Sequence, residues 1–401
     1  MKGPVVALCM PERGHVQRLL PVVEGLAARG ETVHVLTDAR FAAEVAASGG
    51  RFADLFALHP LAAADDASLP VPVRYVSFAG VYADAITAQV AALAPSLVLY
   101  DSFAVVAPIV ARRLGVPWVS LCAGHALDPE RARAALARDP RVAVSDACHA
   151  AVARLRDAHG LPDAGPFSFA DGLSPCLNVY GEPPQFLDEA ARQRLEPVAF
   201  FGCLAPAQRD AASRERPFAG TARGSRVYVS FGTVIWRYYA PLARAALEVL
   251  ADSFAERDAE LLVSLGGHPG AGTLAPALAR RNVRAEPWVD QWGALRDADL
   301  IVTHHGLNST HEAIHHQVPM LSYPFFGDQP ALARRCRQLG LARPLTAASR
   351  APLDRPAVES ALDALCAERE ALAERLAEAR AWELATIAGR PAVLDRILGL
   401  R

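Results

Sequence analysis

Read from its amino terminus, the chain alternates short apolar runs rich in Val, Leu and Ile with alanine-rich stretches whose apolar residues recur at helical spacing. Val5–Met10 is expected as a strand, Arg18–Arg29 as a helix that stops before Gly30, and Thr32–Thr37 as a second strand. Ser96–Tyr100, Trp118–Leu121 and Leu177–Tyr180 continue the strand series. Strands alternating with helices predict parallel sheets joined by right-handed crossovers. The period breaks over 203–224, which is rich in Pro, Gly, Ala and charge and has no apolar face. It resumes with strands at Arg226–Phe231, Leu261–Leu265, Val283–Glu286, Leu300–Thr303 and Met320–Tyr323 and a helix at Ala240–Leu250. From Asp354 onward the chain is mostly helical in pattern. The organisation predicted is α/β: a first domain over 1–203, a linker over 204–224, a second domain over 225–385, and a C-terminal helix over 386–401 able to cross back to the first domain.

Composition narrows this picture. Two domains are the default for 401 residues, and 52% hydrophobic with 21% charged residues excludes a disordered chain. A net charge of −2 builds no field for nucleic acid or an anionic membrane. Seven cysteines, none in CxxC spacing, argue against a disulfide framework and against thiolate zinc sites. Cys9, in an apolar strand, reads as buried filler. No uninterrupted apolar segment is long enough to span a membrane, and the first apolar run is too short for a signal peptide, so the expected location is cytoplasmic.

Six constellations carry candidate chemistry. His15 follows the first strand in Pro11-Glu12-Arg13-Gly14-His15, at the carboxyl edge where open parallel sheets bind ligands. There a neutral imidazole would take a proton from a hydroxyl, or the residue only serves the helix start. Asp101, ending a later strand, either orients an imidazole or caps a helix. Ser230-Phe231-Gly232-Thr233 ends the first strand of the second half, where amides and the Thr233 hydroxyl suit phosphate. Thr303-His304-His305-Gly306-Leu307-Asn308-Ser309-Thr310-His311-Glu312 runs from strand through a glycine turn into a helix. The helix N-terminus, His304, Asn308 and Ser309 offer donors to a diphosphate, and Glu312 lies one turn on as an acceptor for ribose hydroxyls. Asp328-Gln329 after Met320–Tyr323 suits a polyhydroxylated ligand or an Asx-type turn. Trp288 with Gln291 offers an indole face for a base, or an ordinary core aromatic.

Two further patterns compete. His311-Glu312-Ala313-Ile314-His315 is literally HExxH, which on a helix would hold zinc with Glu312 as base. Five histidines crowd 304–316, and no third-ligand signature follows. Asp297-Ala298-Asp299 precedes a strand, at the amino edge of the sheet, and reads as surface turn chemistry.

Taken together and in this order, the six resemble the family-one, UDP-glycosyltransferase-like enzymes of the GT-B fold, of the bacterial natural-product type. The resemblance is carried most specifically by W-x-x-Q from Trp288, THxGxNSxxE from Thr303 and P-x-x-x-DQ from Pro324. It implies two Rossmann-like parallel-sheet domains facing each other across a cleft. It implies inverting, metal-independent transfer of a hexose from UDP- or dTDP-sugar to a small hydrophobic, aromatic or polyketide-like acceptor, with no cofactor beyond the nucleotide-sugar co-substrate. His15 would be the general base and Asp101 its partner. Trp288 would stack on the pyrimidine with Gln291 beside it. His304, Gly306, Asn308 and Ser309 would bind the diphosphate with help from Thr233. Glu312 would hold the ribose, and Asp328 and Gln329 the donor sugar.

The sequence departs from the family pattern in places. His305 stands where a smaller residue is usual and would narrow the diphosphate site or add a donor. Gln317 replaces a glycine before Val318-Pro319, and His311, His315 and His316 are additions. Acceptor recognition is expected from loops over 60–90 and 122–172, through Tyr75, Phe78, Tyr82 and His125, with His149, Phe167 and Phe169 nearby. The expected assembly is a monomer or homodimer, with no nucleic-acid or membrane partner. The competing functions are a nucleotide-sugar epimerase of the same architecture, a non-catalytic homologue serving as a partner protein, and an HExxH zinc hydrolase.

Overall fold

The computed structural model describes residues 2–63, 73–122, 124–126, 128–139, 142–167, 173–204, 217–218 and 224–401. The expected linker and Phe169 fall almost wholly or wholly outside these residues. The chain divides into two compact units, 1–202 with 386–401, and 203–385.

The first unit is built on β1 (Val5–Leu8), β2 (Val33–Thr37), β3 (Arg51–Asp54), β4 (Leu97–Asp101), β5 (Trp118–Cys122), β6 (Leu177–Tyr180) and β7 (Val198–Phe200). They form one parallel sheet in the order β3-β2-β1-β4-β5-β6-β7. The apolar runs are strands because both faces are covered. From β1 onward, Val5, Ala7 and Cys9 enter one core while Val6, Leu8 and Met10 enter the other. The helices are α1 (Arg13–Ala27), α2 (Ala42–Ala47), α3 (Val73–Ala91), α4 (Val106–Leu114), α5 (Pro129–Arg138), α6 (Asp146–Asp157) and α7 (Glu189–Leu195). In α1 the buried set Val16, Leu19, Val22, Val23 and Leu26 repeats at three and four residues, which directs one face to the sheet.

The second unit repeats the plan. Its strands are β8 (Ser225–Ser230), β9 (Ala259–Ser264), β10 (Val283–Glu286), β11 (Leu300–Thr303), β12 (Met320–Ser322) and β13 (Ala342–Pro344). They lie parallel in the order β10-β9-β8-β11-β12-β13. The helices are α8 (Ile235–Tyr238), α9 (Ala240–Phe254), α10 (Ala271–Leu278), α11 (Gln291–Asp297), α12 (Leu307–His315), α13 (Gln329–Gln338), α14 (Arg355–Ala367) and α15 (Arg369–Ala388). The last helix, α16 (Arg390–Leu398), packs on the first unit. There Arg390 bonds the Phe201 carbonyl (2.8 Å), Arg396 the Val198 carbonyl (2.6 Å) and Arg401 the Glu31 carboxylate (2.5 Å).

Both units are therefore Rossmann-like, with the strand order reversing once, at β1/β4 and at β8/β11. β3, β7 and β13 escape the sequence pattern because they are short edge strands of three or four residues. The stretch 60–90, expected as loop, is largely α3, which carries ten buried residues and packs as a core helix. Within 122–172, α5 and α6 likewise replace loop. Among the described residues no helix is long and apolar enough to cross a membrane.

Candidate active site

At β1/β4, the point where ligands enter open α/β sheets, the first unit places His15 and Asp101 together. His15 lies in the first turn of α1 and Asp101 closes β4; Nδ1 and Oδ1 are 2.8 Å apart. Asp101 is 1% exposed. Its Oδ1 also accepts from the Phe103 amide (2.8 Å), and its Oδ2 from the Met10 amide (2.6 Å). Asp101 caps no helix, since α4 begins after Val105. Three donors hold the carboxylate, which accepts the hydrogen bond from His15 Nδ1–H. In that tautomer Nε2 carries the lone pair. The imidazole rests on the Phe103 ring, centroids 4.1 Å apart.

Two neighbours complete this corner. Burial first, and then the charge of Asp101, push the Cys9 thiol well above its ordinary range, so Cys9 is a protonated filler rather than a nucleophile. Glu12, just before α1, accepts from Arg74 (2.8 Å) and from the Tyr75 hydroxyl (2.5 Å), tying α3 to the turn that carries His15.

At β8/β11 the second unit gathers the residues expected to bind the donor. Ser230 and Thr303 end these strands in register. His304 follows, 8% exposed, with its ring against two glycines. A Cβ on Gly232 would lie 2.7 Å from Nε2 and one on Gly306 2.5 Å from it. Burial pulls the His304 pKa down to about 4, a hydrogen bond with the Ser230 backbone opposing it, so the ring is neutral near pH 7. Its Nδ1 is buried with no hydrogen-bond partner among the described residues. Gly306 is the N-cap of α12 and offers its first amides no side-chain cap.

Beside it Gln291, Ser309 and Glu312 form one network. The Gln291 amide donates to Glu312 (2.7 Å), and the Ser309 hydroxyl donates to Gln291 (3.2 Å). Trp288 is 58% exposed, with Gly267 against the edge of its indole. Thr233 is exposed in the turn after β8, and Asn308 is half-buried on the first turn of α12. Asp328 is half-buried just ahead of α13.

The comparisons with known proteins bear on this arrangement. A family model described as UDP-glucoronosyl and UDP-glucosyl transferase matches residues 191–370. An ecdysteroid UDP-glucosyltransferase of Orgyia pseudotsugata multicapsid polyhedrosis virus is 33% identical over 177 residues, 43% of this chain and 34% of the viral protein. The chain thus spans about a third of that relative. The oleandomycin glycosyltransferase of Streptomyces antibioticus is 28% identical over 367 residues, 83% of this chain and 76% of the relative. The solved glycotransferase of kitacinnamycin superposes with a TM-score of 0.75 at 25% identity, over 100% of this chain and 99% of that one. Over residues 191–370 the chain is similar to the UDP-glycosyltransferases, and its two parallel-sheet units have the GT-B fold of its solved neighbours.

The structure departs from the sequence expectations at several positions. His305 neither narrows the diphosphate site nor adds a donor to it. Its backbone turns to φ +59°, and both ring nitrogens are used inside, on Thr310 (3.1 Å) and Ser322 (2.7 Å). Gln329, expected on the donor sugar, gives its Oε1 to the Phe325 and Phe326 amides (3.0 and 3.2 Å) and so shapes the loop. The HExxH reading loses its geometry. His311 is fully buried against Glu383 of α15, Glu312 is held by Gln291, and His315 lies against Trp292. Among the described residues no three His, Cys, Asp or Glu side chains are grouped as metal ligands. Asp299 accepts from the Arg226 amide at the start of β8, as a turn residue does.

The expected acceptor residues divide. Tyr75 and Phe78 are 1% and 2% exposed on α3, members of the core rather than a loop surface. Tyr82 is half-buried against Phe78 and His59. Phe167 packs on the same core and His149 is exposed on α6. His125 pairs with Glu182 (2.7 Å). Sequence reading missed Phe103, Glu12, Glu182 and Glu383. Their partners lie between 57 and 88 residues away, a separation to which local pattern is blind.

Proposed function

We propose that this protein is a glycosyltransferase that moves a hexose from a UDP- or dTDP-sugar to a hydroxyl of a small, apolar natural product, with inversion and without a metal, His15 serving as base. The observation that carries this reading is the His15–Asp101 pair at the reversal of the first sheet. His15 Nε2 takes the proton of the acceptor hydroxyl as the oxygen attacks C1 of the sugar. The bond from C1 to the diphosphate oxygen breaks on the opposite face, and the diphosphate leaves with the electron pair. Asp101 holds the tautomer and balances the imidazolium that forms. A base so placed contributes on the order of 10²–10⁴-fold.

The second unit supplies the leaving-group side. Charge growing on the diphosphate is met by the α12 N-terminus, worth about half a positive charge, and by the orphaned Nδ1 of His304, for which a phosphate oxygen is the partner we assign. Trp288 stacks on the pyrimidine, and the Gln291–Ser309–Glu312 network receives the ribose. Asp328 faces the sugar hydroxyls. The family description supports a UDP-type donor, and the named products of the oleandomycin and kitacinnamycin enzymes support a natural-product acceptor. Seven free thiols support a reducing, cytoplasmic setting.

The test is calorimetric titration with UDP and dTDP in the presence of a chelator, paired with transfer assays. Wild type binds one of the two nucleotides. His15→Ala keeps that affinity and loses transfer. Equal loss of nucleotide binding in His15→Ala would make the residue structural, and binding of neither nucleotide would remove the reading.

A further inference from the structure

The carboxyl edge of the first sheet carries a second histidine–carboxylate pair that the reaction just described does not use. His125 stands three residues past β5 and Glu182 two past β6. Nδ1 of His125 lies 2.7 Å from Oε2 of Glu182. The hydroxyl of Tyr180, at the end of β6, bonds the same carboxylate oxygen and accepts from the Ala126 amide (3.0 Å). Glu182 is 0% exposed, and the His125 side chain keeps 9% of its surface.

Burying a carboxylate completely costs several kcal/mol unless its partners are well placed, and an apolar side chain would fill the same space without that cost. What this carboxylate does instead is fix one imidazole. It accepts the hydrogen bond from Nδ1–H, as Asp101 does for His15, and so sets the tautomer in which Nε2 is the acceptor. β1 and β5 are separated by one strand, about 10 Å across the sheet, so the two pairs belong to one carboxyl edge.

We propose that His125 is an acceptor-binding residue, positioned by Glu182 and Tyr180, whose Nε2 accepts a hydrogen bond from a second hydroxyl of the acceptor, remote from the one that His15 deprotonates. The inference rests on the glycosyltransferase reading above and deepens it. The acceptor class it selects is a rigid polycyclic molecule with hydroxyls at both ends, rather than one with a single polar end. Burial, first among its causes, raises the Tyr180 pKa far above its ordinary value, which keeps its proton on the hydroxyl and the carboxylate in place.

The experiment uses daidzein and its methyl ether formononetin, which share one hydroxyl and differ only in whether the far one is methylated. Transfer to the shared hydroxyl is followed with UDP-glucose and dTDP-glucose in wild type, His125→Ala, Glu182→Ala and Glu182→Gln, with nucleotide binding and thermal unfolding alongside. The expected result is a KM for daidzein about tenfold higher in His125→Ala, with kcat held within about twofold and formononetin unaffected. Glu182→Ala behaves alike, and Glu182→Gln, whose amide oxygen still accepts from Nδ1, recovers most of the loss. Equal effects on both probes, or none, overturn the inference and leave His15 as base. Loss of kcat with lowered unfolding temperature makes the pair structural and also overturns it. Wild type that glycosylates neither probe from either donor removes the aromatic-acceptor reading, and this inference with it.

Discussion

Nε2 of His304 lies 2.5 Å from where a methyl group on Gly306 would stand. Real side-chain carbons do not approach that closely, so the His304 ring keeps its place only because residue 306 is bare. Gly306 has φ −64°, which any residue adopts, so an alanine there strains no backbone and acts through the ring alone. Gly306→Ala is expected to weaken UDP or dTDP binding at least about tenfold, near 1.4 kcal/mol. In the double variant with His304→Ala the two losses should not add, because both remove the same contact. Additive losses in calorimetry would count against the ring as the shared cause.

Trp288 allows a cleaner separation of binding from stability. At 58% exposure it contributes little to the core, so Trp288→Ala should leave stability within about 0.5 kcal/mol. Loss of a base-stacking surface should cost about 1–3 kcal/mol of nucleotide affinity. Urea unfolding and titration on the same sample read the two numbers. An unchanged affinity would sever the indole from the nucleotide.

Acid should weaken this fold earlier than carboxylate protonation alone predicts. Burial lowers His304 to about 4 and His305 to about 3, against 6.5 for the free side chain. Between pH 6.5 and 4 the unfolded chain binds two protons that the folded chain refuses. Stability is therefore complete above pH 6.5 and falls as pH drops, by up to about 1.4 kcal/mol per unit for each ring. Unfolding free energies at pH 7, 6 and 5 measure the slope, and His305→Gln should make it shallower. A slope unaltered by that change would mean that His305 does not titrate as its burial requires.

Gln317 offers a gain rather than a loss. It is exposed at the end of α12 with φ +56°, a conformation that costs a side-chain residue about 1 kcal/mol and glycine almost nothing. Gln317→Gly should raise the unfolding midpoint by a few degrees and leave transfer unchanged. A lower midpoint would show that the glutamine side chain stabilises the turn by contacts that outweigh the strain.

Much of this arrangement is legible in the chain itself. The alternating pattern gives the strand that leads into His15 and those that end at Asp101, Ser230 and Thr303, and the carboxyl-edge rule alone places candidate chemistry there. What it does not give is direction. His305 and His304 are adjacent, yet one ring turns inward to Ser322 and the other rests on Gly232, because a positive φ at one residue flips the chain. Tyr75 and Phe78 look like loop aromatics because helical and loop segments rich in alanine share a composition. Only packing against α6 and the sheet shows α3 to be core. Pairs such as His125–Glu182 and His311–Glu383 join residues 57 and 72 apart, and only the order of strands and helices in space brings them together.

The last helix has a consequence for anyone who would recombine such enzymes. α16 is encoded after the second unit but packs on α1 and β7 of the first. The first unit is therefore discontinuous in the gene. A chimera made with one crossover near residue 203 would pair α1 and β7 with a foreign tail, placing another parent's side chains where Leu394 meets Gly25 and Arg396 meets the Val198 carbonyl. Exchanging the second unit cleanly takes two crossovers, one near 203 and one near 386, so that each half keeps its own closing helix.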